Sequence, residues 1–488
     1  MGFLKKYLHI FLFLGIILLA GFLRLYRLGE VPPSLDWDEA SIGWNAYSLL
    51  KTGTDEYGKA WPVSIRSFND YKPPMYVYAA IPSIANFGLN EFSVRLPSAI
   101  AGILLVAVTF FLCRGLKLQL FHCYIATLLI AISPWSIQFS RGAFEANLAL
   151  LFFVLGAYFL LKWPFLSVIP FILSIYSYHS ARLVIPAFLF LYFIFNFKFL
   201  IPRWKYLLLY TVFMFLLLYP LVRNSLHTGA VTARLATVGA VQNVSEYAKN
   251  YLSHYNFDFL FLTADNNNRH HAPDVGLLYL AELPFLIAGF YFLAKNKPSW
   301  SKFILIWLAA APVASSLVND APHAIRSLMF LPVFQIVVAY GMLNIVQSLK
   351  FKSLIVIAFI LNSIFYIHQY FIHAPIEYAK DWQYGYEQVV EKVLQVEKNY
   401  ETIYVTNYYD QPYIYFLFYG RIDPIVKNSG YFYQGMDKYE FGIQNSKFKI
   451  QNSLYVLAPE ELNSKYQVFD QVNFPSGEPA FLFATIRR

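Results

Sequence analysis

Eleven long apolar runs dominate this chain of 488 residues, at about 8–25, 96–113, 119–135, 146–162, 164–177, 183–199, 205–222, 276–294, 302–318, 328–346 and 353–371. A bilayer span needs about 20 apolar residues. Inside lipid, every backbone N–H and C=O must find a partner within the protein, which leaves helices as the spanning form for such runs. Composition agrees. The chain is 58% hydrophobic and only 14% charged, where a soluble domain carries about a quarter charged residues. Its 19% aromatic content suits interfacial belts of Tyr and Trp.

The basic residues give the topology. Lys5 and Lys6 precede the first run, and Arg24 to Gly29 offers no small-residue cleavage site, so the run reads as a retained signal anchor with a cytoplasmic N-terminus. The inner loops then hold Arg114 and Lys117; Lys162; Lys198, Arg203 and Lys205; Lys295, Lys297 and Lys302; Lys350 and Lys352. Each is basic, as the positive-inside rule requires. Segment 164–177 is short and contains Pro170. Removing it would put the Lys295–Lys302 loop outside, so it counts as a thin or tilted span. The net charge of +9 follows these loops and forms no nucleic-acid-binding face. Cys113 and Cys123 offer neither a disulfide framework nor a metal spacing.

The outer side is elaborate. It carries a loop at about 26–94, turns near 136–145 and 177–182, a loop at about 223–275, the stretch Asn319 to Ser327, and a tail. Ala40–Leu50 and Met75–Phe87 read as helices lying along the membrane surface, the second broken at Pro82. The expected domains are a membrane domain at 1–371 and a small extracytoplasmic α/β domain at 372–488. Within the latter, Tyr386, Val389, Val390, Val393 and Leu394 recur at helical spacing. Thr402–Thr406, Tyr413–Phe418, Ser453–Leu457 and Ala480–Ile486 read as strands. Tyr408, Tyr409, Tyr413 and Tyr415 suit either sugar stacking or ordinary strand packing, and packing is favoured.

Six groups of polar residues sit on this outer side, and each has a plain structural reading beside a chemical one. Asp36-Trp37-Asp38-Glu39 offers carboxylates for a general base or a divalent ion; alternatively, Asp38 caps the surface helix. Lys72, after Asp70 and before two prolines, suits a lipid phosphate or an interfacial anchor. Arg141 and Glu145 stand one helical turn apart and suit a site or a simple pair. His179 with Arg182, and His323 with Arg326, lie at span edges, where an arginine faces a polar cavity or snorkels. Asp265 to His271 form the sixth group, in the second large loop, where Arg269, His270 and His271 cluster; at most one of the two adjacent histidines is directed inward, and metal binding there is the less favoured reading. Carboxylates together with Arg, Lys and His on one face make up a site for transfer from a phosphate leaving group.

At Leu35–Glu39, Asp70–Pro74 and Ser133–Asn147 the chain resembles GT-C membrane glycosyltransferases, in the broad family of protein O-mannosyltransferases and the lipid A aminoarabinose transferase. The resemblance covers about residues 8–370. It implies an all-α polytopic membrane domain and a polyprenyl-phosphate sugar as donor. It also implies an acceptor hydroxyl on a lipid, glycan or protein, and an inverting displacement at the extracytoplasmic face of the cell membrane. Asp38 would be the catalytic base, with Glu39 and Glu145 as accompanying acids. Lys72, Arg182, Arg326, His323, Arg141, His179 and Arg269 would face the donor phosphate. A divalent ion, where used, would draw on Asp36, Asp70 and His270. One departure is Tyr71, where family members often carry an acid or histidine beside the lysine; here the acid is one step earlier, at Asp70.

Two other classes compete. A lipid or glycan transporter or flippase would show duplicated halves and charges near the midplane, and neither is present. A polysaccharide ligase or polymerase would place its main loop late in the chain, whereas this one comes first.

Overall fold

A computed structural model describes residues 2–68, 70–229, 239–346, 352–424, 438–442 and 452–487; Lys350, from the inner-loop series, lies outside them. Helix forms in every one of the eleven apolar segments. Among the described residues, six helices are long and apolar enough to cross a membrane: Tyr7–Leu25, Glu91–Gly115, Glu145–Lys162, Ile201–Thr228, Leu328–Ile345 and Lys352–Glu377. A bent pair, Leu120–Ile132 and Pro134–Arg141, makes a seventh if counted as one span. Pro164–Ser177, Ala181–Phe195 and Ser301–Leu317 are shorter apolar helices, and Leu283–Asn296 fills the segment at 276–294. The chain is a multi-pass membrane protein.

Contacts divide it into two compact units. The first comprises Met1–Tyr26, Asp70–Tyr76 and Pro97–Gln369; the second comprises Arg27–Asn69, Val77–Leu96 and Tyr370–Arg488. The first outer loop therefore packs largely with the C-terminal tail.

Two devices hold the first unit together. At Gly289 and Gly341, helices Leu283–Asn296 and Val333–Val346 touch backbone to backbone: a Cβ on Gly341 would overlap Phe285 O, and one on Gly289 would overlap Val337 O. Small residues allow such approach in lipid, where no hydrophobic force drives helices together. The second device is the bend of 51° before Pro134. Proline has no N–H, so Ile130 O loses its helical donor. Arg24, fully buried at the end of the first span, supplies Nη2 to Ile130 O at 3.3 Å and Nη1 to Ala131 O at 2.9 Å. Tyr279 Oη donates to Ile132 O at 2.7 Å. The break is thus satisfied carbonyl by carbonyl, as buried backbone requires.

In the second unit, helix Trp37–Thr52 packs on helix Pro412–Tyr419. Gly43 admits the Phe418 ring where any Cβ would collide with it, and Tyr415 Oη donates to Leu35 O at 3.2 Å. Helix Met75–Phe87 runs through Pro82, contrary to the expected break. The loss is confined to the one N–H that proline lacks, and Ser83 Oγ reaches both Ala80 O and Ser93 O nearby.

The tail forms a five-stranded mixed sheet in the order Tyr439–Phe441, Thr402–Val405, Ser453–Leu457, Pro479–Ile486, Tyr466–Asn473. Its first three strands are parallel and the remaining pairs antiparallel. Helix Tyr386–Val396 stands as the spacing predicts. Tyr413–Phe418, expected as a strand, belongs to helix Pro412–Tyr419, which Pro412 opens at its first turn. Burial on all sides explains the error, because a short all-apolar run carries no period to read. Tyr409, Tyr413 and Tyr415 are buried and only Tyr408 is exposed, so packing accounts for most of this tyrosine cluster.

Candidate functional site

In the second unit, the three acids of the first outer loop take different duties. Asp36 is the N-cap of helix Trp37–Thr52: its Oδ1 accepts the Glu39 N–H at 2.8 Å, and Glu39 Oε2 accepts the Asp36 N–H at 3.3 Å. This reciprocal box satisfies two donors that a helix start leaves open. Glu39 is also gripped by Arg95, with Nε to Oε1 at 3.0 Å and Nη2 to Oε2 at 3.0 Å, both side chains buried. Arg95 further donates to Leu28 O and Pro32 O, tying down the loop between the first span and the helix. Asp36 and Glu39, expected as metal ligand and catalytic acid, are therefore committed to the scaffold. The capping expected of Asp38 falls to Asp36 instead. Asp38 sits half-buried in the helix's first turn, where backbone N–H groups favour a carboxylate. The sequence reading missed Arg95, whose signal was an arginine at the outer edge of a span.

In the first unit, the structure gathers three side chains from distant loops. Asp265 Oδ2 lies 2.7 Å from His270 Nδ1 and 3.6 Å from His323 Nδ1, with the two rings 4.9 Å apart. The turn that presents them is closed by its own side chains. Asn267 N–H donates to Asp265 Oδ1, and Arg269 N–H donates to Asn267 Oδ1. From helix Pro134–Arg141, Gln138 Nε2 donates to Arg269 O at 2.8 Å, and Phe139 packs 5.4 Å from the His270 ring. Across the cluster, Ala324 N–H donates to Asp265 Oδ2 at 2.7 Å, and Trp135 Nε1 donates to Ala324 O at 3.2 Å. Asp320 Oδ2 stands 3.4 Å from His323 Nε2 and 3.8 Å from Arg326 Nη1 at the exposed rim.

Electrostatics follow from this packing. Burial alone would raise the Asp265 carboxyl; the facing His270 and His323 rings and the Ala324 N–H override it and hold the group well below the usual carboxylate range. Burial, then His270 and Arg326, push His323 well down, so it is a neutral imidazole. Of the paired histidines, His270 is the buried one; His271 is half-buried and lies 3.0 Å from Ala272 O through Nδ1.

The cluster's composition fits a divalent ion. Asp265, His270 and His323 each offer one ligand atom, all within 4.8 Å of one another. His323 Nδ1 is buried without a hydrogen-bond partner. One carboxylate with two imidazoles is a donor set suited to zinc and its neighbours. Of the expected metal residues, only His270 belongs to this group; Asp265 and His323 were missed in that role. Asp265 precedes His270 by five residues, a spacing with no signature of its own.

The remaining expected residues of this unit are spread over several elements. Arg141 is fully buried and closes the end of the first span, with Nη1 to Leu23 O at 2.9 Å and Nη2 to Tyr26 O at 2.8 Å. Those two nitrogens thus serve backbone carbonyls at the end of that span. Asp70 and Lys72 lie half-buried on the short strand Asp70–Lys72. Glu145 is the first residue of helix Glu145–Lys162, again where a carboxylate is favoured. His179 is half-buried in the turn between Val168–Ser177 and Ala181–Phe195, Arg182 is half-buried in the first turn of the latter helix, and Arg269 is half-buried beside His270.

A bundle of membrane helices with a small C-terminal sheet defines the class: the chain has the GT-C fold. It is similar to ArnT from Cupriavidus metallidurans in the apo state, with a TM-score of 0.61 and 11% identity over 97% of each chain. Against the same protein bound to undecaprenyl phosphate the TM-score is 0.57, with 13% identity over 97% of each chain. Residues 15–174 match the family model of dolichyl-phosphate-mannose-protein mannosyltransferase. No curated protein sequence matches the chain. The chain thus resembles GT-C glycosyltransferases in fold throughout, and protein mannosyltransferases in sequence over its first third.

Proposed function

We propose that this protein transfers a sugar from a polyprenyl-phosphate carrier to an acceptor hydroxyl at the extracytoplasmic face of the membrane. The observation that carries the reading is the fold shared with ArnT over 97% of both chains, joined to the family match at residues 15–174. The undecaprenyl phosphate bound to that relative supports a polyprenyl-phosphate donor here. The basic inner loops support a cytoplasmic N-terminus and an extracytoplasmic C-terminal domain.

The chemistry asks for a base and for stabilisation of a departing phosphate. Asp38 is the proposed base. Asp36 and Glu39 are held by the cap and by Arg95, and Asp38 lies in the same first turn of helix Trp37–Thr52. It would orient the acceptor hydroxyl and take its proton as the new glycosidic bond forms on the face opposite the leaving group, inverting the anomeric centre. Lys72, Arg182 and Arg326 would neutralise the charge that builds on the lipid phosphate, where preorganised cations act most strongly. Asp265, His270 and His323 would hold a divalent ion, which would supply positive charge; they also bind the 264–271 and 322–327 loops together.

The test is to incubate the purified protein with a panel of polyprenyl-phosphate sugars and identify what is consumed. Consumption of one donor, lost in Asp38→Asn, supports the reading. A protein that consumes none, yet moves a labelled polyprenyl-phosphate lipid between leaflets, is a flippase instead.

A further inference from the structure

The geometry points to His254 as a positioning residue whose ring, bonded through both nitrogens, fixes the 322–327 turn, and with it the presentation of His323 to Asp265. The inference rests on the Asp265–His270–His323 cluster as the functional centre of the first unit. Sixty-nine residues separate His254 from His323, and nothing in the sequence connects them.

His254 is fully buried at the end of helix Val244–Ser253. That helix and the residues just after it are anchored to the end of helix Ser301–Ala310 and to the segment beyond it. Asn250 Nδ2 donates to Val318 O at 3.0 Å, while Tyr251 Oη and Tyr255 Oη donate to Ala309 O and Leu308 O, each at 2.8 Å.

The tautomer follows from the partners. His254 Nδ1 lies 2.7 Å from Asn250 O. A carbonyl only accepts, so Nδ1 carries the proton and Nε2 offers its lone pair. That lone pair faces two donors, Ser315 Oγ at 2.7 Å and the His323 N–H at 3.3 Å. A second proton on the ring would set donor against donor.

Consecutive backbone N–H groups are therefore clamped by two side chains, His323 by His254 and Ala324 by Asp265. The turn closes on itself as Ser327 N–H and Oγ both donate to His323 O, at 3.1 and 2.7 Å. With the backbone pinned on both sides, the His323 ring has little freedom except to face the carboxylate. Partners of this kind behind a ligating histidine change metal affinity by about 10–100-fold.

The test uses the full-length protein in detergent and compares His254→Ala, His254→Gln and Ser315→Ala. Glutamine can donate to Asn250 O and accept from the His323 N–H; alanine can do neither. Hydrogen–deuterium exchange at the His323 amide is the first readout and needs neither metal nor activity. Exchange should rise at least about ten-fold in His254→Ala and stay near native in His254→Gln and Ser315→Ala.

Cobalt(II) titration, followed by its d–d absorption, is the second readout. Affinity should fall about ten-fold or more in His254→Ala and be rescued by glutamine. Native exchange in His254→Ala overturns the proposal, as does a glutamine variant as fast as the alanine one. If His254→Ala fails to fold, the glutamine variant decides alone. Should exchange follow expectation while the native protein takes up no cobalt, positioning by His254 stands and the metal reading falls.

Discussion

Arg24 Nη2 lies 3.3 Å from Ile130 O, the carbonyl that Pro134 leaves without a helical donor. The first span thus carries the partner for a break in another helix more than a hundred residues away. An unpaired buried carbonyl costs about 1–3 kcal/mol, and Arg24 serves both Ile130 and Ala131. Arg24→Leu is expected to destabilise the protein by on the order of 2–6 kcal/mol, seen as a lower melting temperature in detergent. Arg24→Lys, with one ammonium for two carbonyls, should fall between. A melting temperature unchanged in Arg24→Leu would show that the bend holds without this residue.

The pair Glu39–Arg95 makes a second prediction, about division of labour. Breaking a buried ion pair by removing one partner costs about 3–5 kcal/mol, while losing a cap costs about 1 kcal/mol. Arg95→Met should therefore destabilise far more than Asp36→Ala. Chemical denaturation of the two variants gives the order directly. Equal losses in the two would show that the buried pair adds nothing beyond the cap.

The activity prediction runs the other way. General-base catalysis contributes about 10²–10⁴-fold, so Asp38→Asn should lower kcat by that factor. Lys72→Ala and Arg326→Ala should weaken donor use, raising the donor KM or lowering kcat/KM. Wild-type turnover in Asp38→Asn removes it from the mechanism, and unchanged donor kinetics in both cation variants remove the phosphate assignment.

How much of this was legible in the sequence depends on the range over which each signal acts. The apolar segments were readable because bilayer thickness imposes a length and a composition on contiguous residues. The helix at Tyr386–Val396 was readable because one face is buried and the period shows. Pro412–Tyr419 was not, because every face is buried and its apolar run looks the same as a central strand. The acids of the first outer loop were visible as a group, yet their duties were not. That Asp36 caps and Glu39 pairs is settled by the helix start and by Arg95, which lies 56 residues after Glu39. The His323 cluster depends on loops that approach only after the helices between them have packed. Residue type flagged His270 and His323, but nothing local pointed to Asp265 or His254 as their partners.

Metal dependence is the fourth prediction. If Asp265, His270 and His323 hold a divalent ion, prolonged chelation should lower the melting temperature, and Zn²⁺ or Co²⁺ should restore it, because a ligand that binds only the folded state stabilises by mass action. Asp265→Asn removes the charge while keeping the shape, and should abolish the restoration. If chelation leaves the native protein unchanged while Asp265→Asn still destabilises it, the cluster is a hydrogen-bonded brace between two loops.

The last prediction is a pH dependence with a definite sign. His254 has its folded pKa lowered to about 4, by burial first, with the Asn250 and Tyr251 carbonyls and Asp265 opposing. An unfolded histidine titrates near 6.5. Between these values the unfolded chain binds a proton that the folded chain refuses, so stability falls as pH drops through 6.5 and levels off below about 4. At 1.36 kcal/mol per pH unit, His254 should cost about 2 kcal/mol on going from pH 7 to pH 5. Asp265, held low, keeps its charge across this window and adds no slope there. His254→Gln retains the hydrogen bonds without the titration, so its stability should decline less steeply by that amount over the same range. Parallel pH profiles for the native protein and the glutamine variant, read by denaturation in detergent, would mean that the His254 ring accepts its proton in the folded state and that the neutral tautomer is not enforced.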